Sequence, residues 1–298
     1  MRRFFYASNA DCSAPHIDDT FSQLNPLTVG TTVSLTDSIT HHWCRVLRAT
    51  VGDIGVLFDG FGGEYQVQLQ SISKKQATVS VLSYLDDDRQ APILSKIGLV
   101  MSRGDRMDYA IQKSTELGVT AIQLLNSHHG EVNLKSGQVE KKLLHWQQVA
   151  IAACEQCGLN RPPLILAPQP INQWLAHLEE DAIAINKTLN PTVNSLGKDA
   201  YYQAINRKVD FRLLLSVPDK DQPLMPSNLR TALVKDTPAR PYIELLIGPE
   251  GGLNAEESSL AATVGFENWQ IGSRVLRTET APVVALSTLH ALTLSYDK

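Results

Sequence analysis

Hydrophobic and polar positions along the chain follow two different periods, and the change of period divides it. Up to about residue 85 the period is two. Tyr65, Val67 and Leu69 alternate with polar neighbours, Ala77, Val79 and Val81 do the same, and residues 54–58 form a short apolar run. That alternation is the signature of half-buried strands. One helix is predicted among them, over 38–49, where Ile39, Trp43, Val46 and Leu47 follow helical spacing. Many short strands with one helix predict a small β-barrel.

Beyond Pro92 the texture changes. Near-continuous apolar runs at 97–101, 121–125, 182–185, 211–217 and 243–247 alternate with helical patterns at 105–117, 138–157, 254–264 and 280–295. Alternating strands and helices with apolar strands predict an α/β domain around a mostly parallel sheet covered on both faces. The junction is the acidic run Asp86, Asp87, Asp88 ahead of Pro92, where like charges repel and proline disfavours helix before it. This places one domain at 1–88 and a second at 89–298.

Composition narrows the class. The 298 residues are 43% hydrophobic and 19% charged, which excludes a disordered or fibrous chain. The apolar runs are far too short to span a bilayer. The segment MRRFFYASNA has no apolar stretch of the signal-peptide kind. Four cysteines without such a signal fit a reducing, cytoplasmic setting. The formal charge of −4 argues against attraction of the whole molecule to nucleic acid. It is an average over unlike regions, however. Residues 242–298 carry seven acids and three bases; removing these from totals of 31 and 27 leaves 24 of each in the first 241 residues.

Several motifs read as framework. Residues 60–63 (GFGG) lie between two strand patterns, not between strand and helix, so they predict a hairpin loop and not a dinucleotide fingerprint. Cys154 and Cys157 form a lone CxxC at the end of a helix, where neither zinc nor thioredoxin chemistry is expected. The adjacent pairs His41–His42 and His128–His129 point in divergent directions and suit no shared metal. No metal site is assigned.

Two stretches instead point to a ligand. Residues 248–252 (GPEGG) follow the apolar run 243–247 and precede Asn254, a good helix N-cap. A glycine loop at the carboxyl edge of a buried strand is where α/β sheets bind ligands. Gly251 is expected to need a positive φ there. Residues 271–280 (IGSRVLRTET) form a second loop of the same kind, with Thr278 or Thr280 as cap of the next helix. That helix, PVVALSTLHALTLSY, is apolar or small on nearly every face and must be buried, within the monomer or against a second subunit.

Read together, six stretches resemble the RsmE family of ribosomal RNA methyltransferases in the SPOUT superfamily: RVLR (45–48), LFDGFGGEY (57–65), VMSRGDRMDYAIQKSTELGV (100–119), AIAACEQCG (150–158), LLIGPEGGLNAEE (245–257) and IGSRVLRTETA (271–281). They run in order over nearly the whole chain. The resemblance implies an N-terminal PUA-like β-barrel that helps hold RNA and a SPOUT domain with a C-terminal trefoil knot. It further implies an obligate homodimer, S-adenosyl-L-methionine as cofactor, and methylation of uridine N3 in 16S rRNA at the decoding centre of the small ribosomal subunit. Residues 126–130 (NSHHG) depart from the Ser-Glu-Arg that relatives carry there. No role of that Glu or Arg is carried over, and histidine remains available to contact RNA.

Site residues follow from the matched motifs. For the cofactor they are Leu246, Gly248, Glu250, Gly251, Gly252, Ile271, Gly272, Leu276 and Thr280. For the chemistry, methyl transfer to N3 needs loss of a weakly acidic proton, hence a base or a cation that stabilises the uracil anion. Candidates are Arg3, Arg103, Glu116, Arg277 and Glu279. For RNA they are Arg2, Arg3, His42, Arg45, Arg48, Arg103 and Lys113. Arg45 and Arg48 are expected on one helical face, and Lys113 and Glu116 on another, where an ordinary surface ion pair competes with a catalytic role. Other readings are a catalytically idle RNA-binding protein, which the intact glycine loops disfavour, and a nucleotide enzyme, which lacks GxxxxGK[ST] and GxGxxG.

Overall fold

The computed structural model describes residues 1–6, 27–74, 76–178, 196, 199–221, 223–233 and 240–293. The predicted strand at 182–185 lies outside them. The chain divides into two compact units: Met1–Gln90 with Cys154–Pro162, and Ala91–Ala153 with Pro163–Lys298. Sequence reasoning put the 154–162 segment in the second domain. Side-chain bonds explain its membership of the first. Glu155 accepts the Phe5 N–H at 2.9 Å, Asn160 Oδ1 accepts from Arg3 at 2.5 Å, and Arg161 reaches Asp88 at 2.7 Å.

In the first unit β1 (Arg2–Phe5) and β2 (Thr32–Ser34) precede α1 (Asp37–Thr40), a π-helical stretch His41–Val46, and the strands β3 (Ile54–Phe58), β4 (Glu64–Ile72) and β5 (Ala77–Leu85). The sheet order is β1-β3-β4-β5-β2, with β1 parallel to β3 and the other pairs antiparallel. Among the described residues no ladder joins β1 to β2, so hydrogen bonding leaves the sheet open. The predicted alternation is realised: Val67, Leu69, Ala77, Val79 and Val81 are all buried, packed with Phe4 and Trp43. The 60–63 loop is the β3–β4 hairpin connection, braced by Asp59 accepting the Phe61 N–H at 3.0 Å.

The predicted helix at 38–49 is shorter than its pattern suggests. Its second half winds as a π-helix, closed by the Leu47 N–H donating to the His42 carbonyl at 2.9 Å. It ends at Val46, and Arg48 lies beyond it with φ 55°. Arg45 and Arg48 therefore do not share a helical face. Both are exposed, and Arg45 donates to the Lys74 carbonyl.

The second unit contains β6 (Leu94–Val100), α2 (Asp105–Glu116), β7 (Ala121–Asn126), α3 (Ser136–Cys157, whose last turn belongs to the first unit), β8 (Leu164–Pro170) and α4 (Ile171–His177). It continues with α5 (Ala200–Gln203), β9 (Phe211–Leu215), α6 (Leu229–Leu233), β10 (Tyr242–Ile247), α7 (Ala255–Thr263), β11 (Phe266–Trp269) and α8 (Ala281–Thr293). Its sheet is fully parallel, in the order β11-β9-β10-β6-β7-β8. Every residue of β6 and β10 is buried, as a doubly covered sheet requires. Ile97, Leu99, Leu245 and Ile247 face α2, α3, α6 and α8, while Val100, Leu125 and Leu246 face α4 and α7. Among the described residues, no helix is long and apolar enough to cross a membrane.

The pattern did not predict β8 and α4, because prolines 162, 163, 168 and 170 interrupt it. β8 is an edge strand, the one place in a sheet where proline is tolerated. Behind the sheet, Trp174 of α4 lies so close to β6 that a Cβ on Gly98 would stand 2.5 Å from its ring. Between β9, β10 and β6 a buried charge ladder fixes the register: Glu244 accepts from Arg212 Nε at 2.9 Å and Tyr242 Oη at 2.8 Å, with Lys96 at 3.5 Å. Burial, reinforced by the Glu244 carboxylate, pushes the Tyr242 phenol well above its usual range.

Candidate functional site

The loops leaving β9, β10 and β11 enclose a cavity of about 400 Å³ at the carboxyl edge of the parallel sheet. Leu215, Ile247, Ile271 and Leu276 supply apolar wall, and the backbone of Gly248 and Gly252 supplies polar wall. The β10 loop turns tightly, with the Gly252 N–H donating to the Pro249 carbonyl at 2.9 Å. Gly252 adopts φ 73°, a region that costs a side chain strain. The loop ends at a capping box: Asn254 accepts from the Glu257 N–H at 2.8 Å and Glu257 accepts from the Asn254 N–H at 3.0 Å. The β10 and β11 loops approach through the buried Thr278 hydroxyl, 3.4 Å from the Gly248 carbonyl. Ser216, at the end of β9, lines the cavity with its hydroxyl oxygen buried and unpartnered.

A charged rim follows. Arg106 at the start of α2 donates to Glu250 at 2.8 Å, and its Nε lies 4.0 Å from Glu279. Arg277 lies 3.9 Å from the same Glu279 oxygen, and the other oxygen is buried without a hydrogen bond. Arg103, 73% exposed, pairs with Glu131 at 3.4 Å. Beside the β10 loop, His129 donates from Nδ1 to the Gly252 carbonyl at 3.2 Å.

The structure brings together some predicted residues and separates others. Gly248, Glu250, Gly252, Ile271 and Leu276 line the cavity. Leu246 does not: strand alternation turns it to the opposite face, into the cluster with Trp174 and Phe266. Gly251 is not at positive φ; its neighbour Gly252 and Gly272 (φ 80°) are. Thr280 opens α8 by accepting from the Val284 N–H at 3.2 Å. Gly251, Gly272 and Thr280 lie outside the cavity lining.

Glu116 and Lys113 pair with each other at 2.7 Å in the last turn of α2. That end of the helix leads to Thr120, whose N–H donates to the Ser95 carbonyl at the start of β6. The pair thus stands at the amino edge of the sheet, one 12-residue helix, about 18 Å, away from the cavity edge. In this unit it is a surface ion pair. Arg3 is likewise no free cation. Its side chain is 11% exposed, pairs with Glu64, donates to Asn160, and packs 5.2 Å from the Phe58 ring centroid. Arg2 and His42 are exposed, the latter edge-on to Phe4.

Sequence reasoning missed Arg106, Ser216 and Thr278 as site residues, and kept His129 only as a histidine available to contact RNA. Arg106 and Thr278 lie inside matched motifs, whereas Ser216 and His129 enter only through strand order and loop packing. Cys154 is buried, and burial pushes its thiol well above the usual range, away from thiolate chemistry.

Comparison with known proteins agrees with this geometry. Residues 89–198 and 186–290 match the RNA methyltransferase domain family, and residues 35–82 match the RNA methyltransferase PUA domain. The ribosomal RNA small subunit methyltransferase E of Synechocystis is 30% identical over 88% of this chain and 73% of its own length. That of one Buchnera aphidicola strain is 28% identical over 88% and 92%. Among solved structures, the Neisseria gonorrhoeae ribosomal RNA small subunit methyltransferase E bound to S-adenosyl methionine superposes with a TM-score of 0.71 at 29% identity, covering 98% of each chain. A Legionella pneumophila methyltransferase in complex with the cofactor SAM gives 0.71 at 28%, covering 97% of each. This chain belongs to the RNA methyltransferase domain family, within its RsmE group.

Proposed function

We propose that the protein methylates N3 of a uridine in 16S rRNA of the small ribosomal subunit, at the decoding centre, using S-adenosyl-L-methionine. The observation that carries this reading is that the two loops matching the family form opposing walls of one cavity. The cavity fits the cofactor. Its apolar residues suit an adenine ring, its glycine backbone admits close hydrogen bonding, and the unpartnered Ser216 hydroxyl offers one more polar contact. Gly248, Gly252, Ile271, Leu276 and Ser216 are the residues assigned to hold it. When bound, it supplies a methyl group on a sulfonium.

The chain's own task is then to position the uracil and to carry its negative charge. Arg277 and Arg103, both exposed, are assigned to the developing anion on the base. Glu279 positions Arg277 and Arg106. In the first unit Arg2, His42, Arg45 and Arg48 are the assigned RNA contacts, with Arg3 as a brace. The same reading carries a PUA-like domain at 1–88, a SPOUT domain at 89–298 with a C-terminal trefoil knot, a cytoplasmic setting and a homodimer. Helix α8 supports the dimer. Ala281, Ala285 and Leu289 are buried within the chain, while Val283, Val284 and Leu292 remain partly exposed on an apolar helix.

Thermal unfolding tests the cofactor assignment. S-adenosyl-L-methionine at a hundredfold excess over Kd should stabilise the protein by about 2.7 kcal/mol. A shift with ATP or NAD and none with this cofactor overturns the reading. Transfer of labelled methyl to small subunits lacking the modification separates an enzyme from an idle RNA-binding protein of the same fold.

A further inference from the structure

The proposed uridine reaction leaves a proton to be accepted at N3, and none of the candidate carboxylates is both unpaired and exposed at the cavity. Glu279 stands between two guanidinium groups, Glu250 is paired with Arg106, and Glu116 lies at the far edge of the sheet beside Lys113. Among the described residues, a further titratable group touches the cofactor loop. His129 follows β7 on the short loop 127–130, and a Cβ on Gly251 would stand 3.6 Å from its own Cβ.

The ring is oriented from two directions. Buried Glu257, the capping residue of α7, accepts the His128 N–H at 2.8 Å and the Ser127 hydroxyl at 3.1 Å, which pins the loop to the start of that helix. The Gly252 carbonyl takes a hydrogen from Nδ1 at 3.2 Å. A carbonyl only accepts, so Nδ1 carries hydrogen and, in the neutral ring, Nε2 is the acceptor. The residue is exposed, and Nε2 is therefore presented outward beside the glycine loop. A ring whose far nitrogen is held by an acceptor is the arrangement that general bases use.

We infer that His129 is a catalytic residue of this chain, the acceptor of the uracil N3 proton. This rests on the uridine-N3 reading above. In the step, the N3–H bond breaks and its proton passes to Nε2. The electron pair left on N3 forms the bond to the methyl carbon, and the carbon–sulfur bond of the sulfonium donor breaks with its pair on sulfur. The resulting imidazolium keeps its Nδ1–H on the Gly252 carbonyl. The charged and titratable neighbours are His128, edge-on at 4.8 Å, Glu257 on α7, Glu250 with Arg106, and Glu131 with Arg103.

The test measures methyl transfer to unmodified small subunits between pH 5.5 and 9.5 for wild type, His129→Gln and His129→Ala, with cofactor affinity by calorimetry. Glutamine keeps a donor for the Gly252 carbonyl and removes the base. At neutral pH, kcat of both variants is expected to fall about 100-fold or more, with cofactor Kd and RNA KM within about threefold. The deficit should shrink as pH rises and the uracil ionises unaided, and the acid limb of the wild-type profile should disappear. A glutamine variant with wild-type kcat and an unaltered pH profile overturns the inference and leaves methylation itself intact, as does a loss confined to RNA KM. Wild-type protein that transfers no methyl overturns both. Because His129 is exposed, its variants should melt with the wild type.

Discussion

Arg3 in the first unit is 11% exposed, locked to Glu64 and Asn160, whereas Arg277 on the cavity rim is 69% exposed and stands 3.9 Å from its acid. In the sequence the two are alike, both candidate cations for the uracil anion. The structure separates them by partner and burial. Arg161 resembles Arg3 in being 11% exposed and paired, with Asp88, while the half-buried Arg89 bridges Glu64 and Asp87. The acidic junction that reads as a repelling linker is therefore a docking point for guanidinium groups within the first unit. A cation already satisfied by a buried acid cannot leave without stranding that acid's charge, and one held loosely at a rim is available to substrate.

The sharpest break in this comparison is Arg3→Ala. Removing one member of a buried pair costs about 3–5 kcal/mol, and since Arg89 stays on Glu64 the low end, about 3 kcal/mol, is expected in urea unfolding. A loss below about 1 kcal/mol would return Arg3 to the functional cations. Arg277→Ala should do the opposite. Its stability should stay within about 0.5 kcal/mol, while methyl transfer falls about 10²–10³-fold with cofactor affinity retained. Unchanged kcat would remove Arg277 from the anion's surroundings.

Arg45→Ala combined with Arg48→Ala should weaken RNA binding and flatten its salt dependence by up to about 1.4–1.8 in logarithmic slope, sparing cofactor affinity. An unaltered slope would mark both as solvated. The smallest effect concerns His290 on α8. Burial lowers its imidazole below the ordinary value, and Nε2 is buried without a partner. The neutral ring is favoured in the fold, so its stability contribution is present above about pH 6.5 and lost as pH falls through the lower folded value. His290→Gln should therefore lose less melting temperature than wild type between pH 7 and 5, and parallel curves would refute this.

Local pattern made much of the fold legible. The period-two strands 64–72 and 77–85, the helices 105–116 and 255–263 and the two glycine loops all follow from residues close in sequence. β8 and α4 were hidden by prolines that an edge strand accepts, and the end of the first helix by a π-helical closure that apolar spacing does not encode. At the site, Gly248 and Ile271 were recognisable because a strand ending in glycine is a local signal. Leu246 was misassigned because motif membership does not say which sheet face a side chain takes. Ser216 was invisible and the place of His129 beside the glycine loop was not legible, since β9 meets β10, and the 127–130 loop meets α7, only through sheet order and a buried carboxylate.

The central claim is the identity of the acceptor atom. Small ribosomal subunits lacking the modification, incubated with the protein and labelled S-adenosyl-L-methionine, should yield 3-methyluridine in 16S rRNA when digested nucleosides are separated by mass spectrometry. Label on a ribose oxygen, on another base or on no nucleoside would contradict the account.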